Sequence, residues 1–170
     1  MKTFHDSGAS GRRQKYNGMY LEKMLQVIDP SGKSVGLETP VNFREAVWHC
    51  FPLFEAGGKL AERANSILRG TKFEKCHFMP MNFTQILKKY GPLIEADVAS
   101  KLRDYIMTHL DFMAADRIHI SMYNDNFANM AIYTLLVAGE MFGLPEYFDK
   151  GKEKLFGVRD LFMRCGALME

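Results

Sequence analysis

An Asn-Phe pair opens a helix-like stretch three times in this chain. The pairs are Asn42-Phe43, Asn82-Phe83 and Asn126-Phe127, separated by 40 and then 44 residues. Each phenylalanine is followed three residues later by another apolar residue, a spacing that places both side chains on one face of a helix. A repeat of about 40 residues is typical of stacked or circular arrays of helical hairpins. The repeat therefore predicts an all-α fold made of antiparallel helical hairpins.

Turn residues set the expected boundaries of these hairpins. Gly57-Gly58, Gly91-Pro92 and Gly143-Leu144-Pro145 interrupt the helical pattern, because glycine and proline favour turns over helix interiors. We expect hairpins at about 42–70, 82–115 and 126–166, within one domain over residues 16–170, and a flexible leader over residues 1–15.

The two helices of the third hairpin differ in charge. No charged residue occurs from Asn126 to Gly139, whereas the return helix carries Lys150, Lys152 and Lys154. A helix that is apolar nearly all round is buried on all sides, and an amphipathic helix is exposed on one face. This contrast predicts an inner layer and an outer layer of helices.

Composition excludes several classes of protein. The chain has 170 residues, is 47% hydrophobic and carries a formal net charge of +2, without the basic stripe of a nucleic-acid-binding protein. Its longest uncharged stretch is too short and too polar for a membrane span. No apolar segment of a secretory signal is found near the start, so we expect a cytoplasmic protein by default. Three cysteines favour reduced thiols, and we expect no cofactor.

Two stretches resemble a known superfamily. They are MNFTQILKKYG at residues 81–91, and YNDNFANM at residues 123–130, which runs on into GEMFG at residues 139–143. Together with the layered hairpins they resemble the α/α-toroid carbohydrate-active enzymes, namely heparinase II/III-like and alginate-lyase-like polysaccharide lyases and related six-hairpin glycosidases. The likeness covers about residues 40–170. It implies a partial α/α toroid, the N-terminal part of a larger protein, completed by a missing C-terminal half or by a homo-oligomer.

The resemblance also implies that the N-termini of inner helices line a sugar-binding cleft. A helix N-terminus offers free N–H groups and partial positive charge to a carboxylate. In a lyase, Asn124 or Asn126 would then neutralise the uronate carboxylate, and Tyr123, His119 or His77 would serve as the base. The alternative is that Asn126 is an N-cap and Asn124-Asp125 is a turn.

Four more residues are predicted to contact the substrate, on weaker grounds. Asn42 and Asn82 begin the other two repeats, although N-capping alone explains both. Trp48, the single tryptophan, could stack on a sugar ring with His49 beside it, or could pack in the helical core.

Some residues of the sequence are compatible with two other kinds of chemistry, hydrolysis and zinc binding. Hydrolysis would use paired carboxylates, for which Asp125, Glu45 and Glu140 are available without a spacing that pairs them. The pairs His49-Cys50 and Cys76-His77 could form a zinc site, but neighbours on a helix point about 100° apart, so we predict no metal.

These patterns lead to one functional hypothesis and two alternatives. The leading hypothesis is a protein that binds a poly- or oligosaccharide and cleaves an acidic polysaccharide by β-elimination. The alternatives are a glycoside hydrolase of the same fold and a non-catalytic helical-repeat scaffold that binds a protein partner.

Overall fold

The computed structural model describes residues 7–29, 43–115 and 125–165. Within these ranges the chain forms seven α-helices, one short 3-10 helix and no strand, so the all-α prediction is confirmed for them. The helices are α1 (Ser7–Val27), α2 (Phe43–Ala56), α3 (Gly58–Gly70), α4 (Met79–Tyr90), α5 (Ala96–Ala114), α6 (Asp125–Phe142) and α7 (Pro145–Cys165), and the 3-10 helix is Gly91–Leu93.

The first of two compact units spans Met1–Lys72 and contains α1, α2 and α3. Helix α2 packs against both α1 and α3. Gly57 joins α2 to α3 with a φ of +70°, a left-handed conformation that glycine adopts without steric cost. The core of this unit consists of fully buried side chains, among them Val47, Cys50, Leu53, Ile67 and Leu68.

Helix α1 begins earlier than the sequence predicts. It starts at Ser7, so part of the leader expected over residues 1–15 is helical. Glycine and serine near the start suggested an irregular segment, but the run from Arg12 to Lys15 consists of residues with good helix propensity. Met24 and Ile28, near the end of this helix, are buried and anchor it in the first unit.

The second compact unit spans Phe73–Glu170 and contains α4 to α7. Helix α4 packs against α5 and α6, while α6 packs against α5 and most extensively against α7. Its core includes the fully buried side chains Phe83, Ile86, Leu102, Ile106, Leu110 and Leu135. The prediction of a single domain over residues 16–170 stays a prediction.

Helices α6 and α7 approach closely at a glycine. A Cβ atom added to Gly139 would lie 2.7 Å from the backbone nitrogen of Phe148 and 2.9 Å from its Cα. Real Cβ atoms do not come this near to a backbone, so the contact requires glycine. Gly143, with a φ of +69°, then turns the chain between the two helices.

The predicted N-cap at Asn82 is wrong. Helix α4 begins at Met79 with Phe78 at the N-cap position, and Pro80 occupies the first turn, where its missing N–H costs nothing. Asn82 therefore lies inside the helix, and its Nδ2 donates a hydrogen bond to the carbonyl oxygen of Phe78 at 3.0 Å. In the other two repeats, Phe43 is the first residue of α2, and Asn126 is the second residue of α6.

Candidate functional site

Four of the predicted site residues, Asn42, His119, Tyr123 and Asn124, lie outside the described residues. Asp125 is the first residue of α6, and Asn126 follows it as an exposed residue of the first turn. Asn82 is buried and bonded to its own helix. Their roles in catalysis or substrate binding stay predictions.

Trp48 and His49 lie on α2 in the first unit. The indole is 43% exposed and the guanidinium of Arg44 lies 5.2 Å from its ring centroid, a cation–π contact. His49 stacks on Tyr20 with ring centroids 6.2 Å apart. Burial lowers the pKa of His49, an effect that the nearby carboxylate of Glu45 partly opposes.

His77 lies in the second unit at a pocket of about 350 Å³. One wall comes from the segment before α4 and the other from one face of α5. The lining residues are Phe73, Glu74, Lys75, His77, Tyr105, Thr108, His109 and Phe112. A volume of roughly 300–1,000 Å³ is usual for small-molecule sites, so this pocket would hold a ligand of one or two rings.

Aromatic rings surround His77. Its imidazole stacks on Phe112 with centroids 4.2 Å apart and an angle of 15° between the planes. The rings of His109 and Phe127 meet it edge-on, at 6.0 and 5.8 Å. The walls of the pocket therefore offer flat apolar faces together with two imidazoles.

His109 is held in one tautomer by its own helix. Its Nδ1 lies 2.9 Å from the carbonyl oxygen of Tyr105, which can only accept a hydrogen bond, so Nδ1 carries the proton. Thr108 Oγ1, which donates to the same carbonyl, lies 3.0 Å from Nδ1. In the neutral ring, Nε2 then carries the lone pair.

This Nε2 atom is buried and has no hydrogen-bond partner among the described residues, and the His109 side chain is only 7% exposed. Buried polar atoms are normally paired, because leaving one unsatisfied costs about 1–3 kcal/mol. His109 Nε2 is therefore a hydrogen-bond acceptor whose partner is missing from the described residues.

Tyr105 joins the two walls of the pocket. Its hydroxyl lies 2.7 Å from the carbonyl oxygen of Glu74 and 3.1 Å from that of Cys76, and it accepts a hydrogen bond from the Cys76 N–H at 3.0 Å. Its ring stacks on His109 with centroids 4.4 Å apart. Burial raises the pKa of Tyr105 to about 12, partly offset by the Cys76 N–H, so the phenol is neutral at physiological pH.

Charged groups lie at the mouth of the pocket. Glu74 and Lys75 are exposed, and they are the acidic and basic side chains among the lining residues. Lys75 makes no ion pair or hydrogen bond within the described part of the chain. Nearby, the ammonium of Lys101 lies 4.2 Å from the ring centroid of Phe73, and burial lowers the pKa of Lys101 although Asp97 opposes it.

Sequence reasoning found His77 but missed His109 and the role of Tyr105. Tyr105 lies within the amphipathic helix α5, where the sequence pattern alone indicates packing. His109 follows four residues later on the same face of the helix. The spacing of four residues between Tyr105 and His109 is the feature of the sequence that could have indicated a shared site. It indicates a pocket only when the position of residues 73–77 over this face is also known.

The metal-binding groups, the cysteines, the membrane-spanning potential and the similarity to known proteins were the other features of interest. In the described ranges, no group of three or more His, Cys, Asp or Glu side chains is arranged to hold a metal ion. Cys50 is fully buried and burial raises the pKa of its thiol, whereas Cys76 is half-buried. None of the described helices is long and apolar enough to cross a membrane. Comparisons with family models, with curated proteins and with solved structures give no match for this chain.

Proposed function

We propose that this chain is a carbohydrate-active protein whose pocket between residues 73–77 and α5 binds one ring of an acidic sugar. The observation that carries the proposal is His109: an imidazole oriented through Nδ1, with a buried and unpartnered Nε2, lining an aromatic-walled pocket. Such a base suits cleavage of a polysaccharide by β-elimination.

The walls of the pocket favour a ring with one apolar face and several hydroxyl groups. Sugar rings have this character, because their axial C–H groups pack on flat aromatic faces while their hydroxyls form hydrogen bonds. Phe112, His77 and Tyr105 contribute aromatic surface to the lining of the pocket. Hydroxyl groups of the same ligand can donate hydrogen bonds to the carboxylate of Glu74.

The proposed elimination uses groups of this pocket. His109 Nε2 takes the proton from the carbon next to the sugar carboxyl group, and the electron pair left behind forms the new C=C bond. The C–O bond to the leaving sugar breaks, and the leaving oxygen gains a proton from a protonated His77 or from water. The ammonium of Lys75 stabilises the negative charge that builds up on the carboxyl group.

Hydrolysis fits this pocket less well. Glycoside hydrolases generally use two carboxyl groups about 5–10 Å apart, and Glu74 is the acidic side chain among the lining residues. Elimination needs a base and a cation, and both line the pocket.

The order of helix packing supports a toroid-like array. Consecutive helices α2 and α3 pack together, as do α4 and α5, and α6 and α7. Buried residues occur along α6, whereas α7 exposes Leu155, Phe156 and Met163. We propose that these pairs are helical hairpins with α6 in an inner layer and α7 in an outer layer of a partial α/α toroid.

The exposed apolar residues of α7 favour a second candidate function. Leu155 is 43%, Phe156 50% and Met163 77% exposed. Large apolar side chains that remain in solvent along one helix are typical of surfaces that contact another protein. A helical-repeat scaffold that binds a partner through α7 would use these residues and leave the pocket without a ligand.

The substitution His109→Asn tests the proposed function. Asparagine keeps an N–H donor near the position of Nδ1 and removes the Nε2 lone pair, so the fold should persist. On a panel of uronic-acid polymers, the wild type should form unsaturated ends that absorb in the ultraviolet, and the variant should lose about 10²–10⁴-fold in rate. Reducing ends released without that absorbance would indicate hydrolysis, and equal rates of the two proteins would exclude His109 as the base.

A further inference from the structure

One hydroxyl group fixes the segment that forms the outer wall of the pocket. Residues 73–76 lie outside any helix, and the carbonyl oxygen of Cys76 accepts the N–H of Met79, the first residue of α4, at 3.2 Å. The hydroxyl of Tyr105 contacts the carbonyl oxygens of Glu74 and Cys76 and accepts the Cys76 N–H. Lys75 lies between these two anchored residues, so the same contacts fix the backbone from which its ammonium group extends.

The aromatic ring of Tyr105 adds a second anchor to the same segment. It meets the ring of Phe73, in this segment, edge-on at 5.6 Å, and it also meets the ring of Phe83, in α4, at 5.0 Å. These contacts depend on the ring alone and not on the hydroxyl. The hydroxyl can therefore be removed while the packing of the tyrosine is kept.

Tyr105 also holds the opposite wall. Its carbonyl oxygen accepts the hydrogen bond from His109 Nδ1, and its ring stacks on the imidazole. The backbone that carries Lys75 and the orientation of His109 thus depend on different atoms of one residue. A neutral phenol suits this role, because it can both donate to a carbonyl and accept from an N–H.

We infer that Tyr105 is a positioning residue that sets the pocket's preference for an acidic over a neutral sugar, by holding Lys75 opposite His109. This inference rests on the proposed function. It gives Tyr105 no part in the reaction, since its hydroxyl is engaged by the backbone of residues 74–76. The preference for an acidic sugar arises from the position of the Lys75 ammonium group. Removing the hydroxyl of Tyr105 should therefore reduce this preference.

The test compares Tyr105→Phe with Tyr147→Phe in the full chain. The control also loses one phenol hydroxyl, which donates to the exposed carboxylate of Asp111 at 2.6 Å, outside the lining of the pocket. Titration calorimetry gives the Kd of a hexuronate trisaccharide and of the neutral hexose trisaccharide with the same linkage. The measured quantity is the ratio of these two Kd values.

We expect Tyr105→Phe to reduce the preference for the acidic trisaccharide about five- to tenfold, the usual effect of losing a hydrogen bond that places a charge. Tyr147→Phe should leave it unchanged. In a Lys75→Gln background, Tyr105→Phe should have no further effect on the preference, because the two residues act as one unit. A loss of packing alone would weaken both sugars equally and would leave the ratio as it is.

Two results would overturn the inference, and a third bears first on the proposed function. A Tyr105→Phe protein that keeps the wild-type ratio, or an additive effect with Lys75→Gln, contradicts the positioning role. A wild type that binds neither trisaccharide contradicts the proposed function. In that case, hydrogen exchange at the Cys76 amide decides separately whether Tyr105 holds the segment: exchange no faster in Tyr105→Phe than in Tyr147→Phe would overturn that as well.

Discussion

The histidines His49 and His109 show how local contacts decide what an imidazole can do. His109 is tied through Nδ1 to a carbonyl of its own helix, which leaves a defined lone pair on Nε2. His49 stacks on an exposed tyrosine, and burial lowers its pKa. The first environment orients a base, and the second keeps a ring neutral.

The lowered pKa of His49 makes the stability of the first unit depend on pH. The unfolded chain takes up the proton near pH 6.5, and the folded unit takes it up only at lower pH. The contribution of His49 is therefore fully present above pH 6.5 and is lost as the pH falls through the folded pKa. We expect urea unfolding, followed by the fluorescence of Trp48 on the same helix, to show stability decreasing below pH 6.5.

The control for this prediction is His49→Phe, which keeps a ring against Tyr20 and removes the titration. Its stability should fall less steeply between pH 6.5 and pH 5 than that of the wild type. A variant with the same or a steeper slope would show that another group is responsible.

At the same scale, the sequence could identify His77 but not His109 as a pocket residue. His77 follows a stretch without a helical pattern, and a histidine in a loop is a common candidate for a functional residue. His109 lies within the amphipathic pattern of α5, and what distinguishes it is the segment 73–77 that packs over it. That contact is tertiary, and one-dimensional periodicity carries no information about it.

The approximate starts of the helices could be predicted where turn residues precede them. Helices α5 (Ala96–Ala114) and α7 (Pro145–Cys165) lie within the ranges of about 82–115 and 126–166 that were expected for the second and third hairpins. Helix α4 differs, because Pro80 fits the first helical turn as well as a loop and the helix therefore starts before Asn82. The Asn-Phe pair is therefore repeated in the sequence without marking the same position in each helix.

The packing of α6 on α7 gives a prediction at the scale of elements. Gly139→Ala places a Cβ atom against the backbone of Phe148, so the two helices must separate. We expect the free energy of unfolding to fall by about 1–3 kcal/mol, as for other overpacked contacts. Far-ultraviolet circular dichroism during urea unfolding measures the change.

Gly18→Ala is the matched control, since Gly18 lies inside α1 with no atom within 4 Å of an added Cβ. Alanine there should stabilise the protein by up to about 1 kcal/mol, because glycine is the poorer helix former. If Gly139→Ala were neutral or stabilising, the close contact of α6 and α7 would not be present in solution.

For the whole molecule, the fold class could be derived from the sequence and the arrangement could not. Helical periodicity and turn residues decide that the described parts of the chain are all-α. A toroid with two layers depends on contacts between hairpins. Such contacts involve many residues that are distant in sequence, so no single residue or motif predicts them. The pocket depends on two segments that are about 30 residues apart in sequence, as the pairing of Tyr105 with Glu74 and Cys76 shows.

Binding of an acidic sugar in the pocket at His109 is the central proposal for the whole molecule. The most direct measurement is ¹⁵N NMR of the histidine side chains during titration with a hexuronate trisaccharide, with His109→Asn to assign the resonance. We predict that free His109 has a protonated Nδ1 and an unprotonated Nε2, and that its Nε2 resonance shifts saturably with the trisaccharide while that of His49 does not. A His109 resonance that is unchanged at saturating sugar, or that moves only in step with His49, would contradict the account.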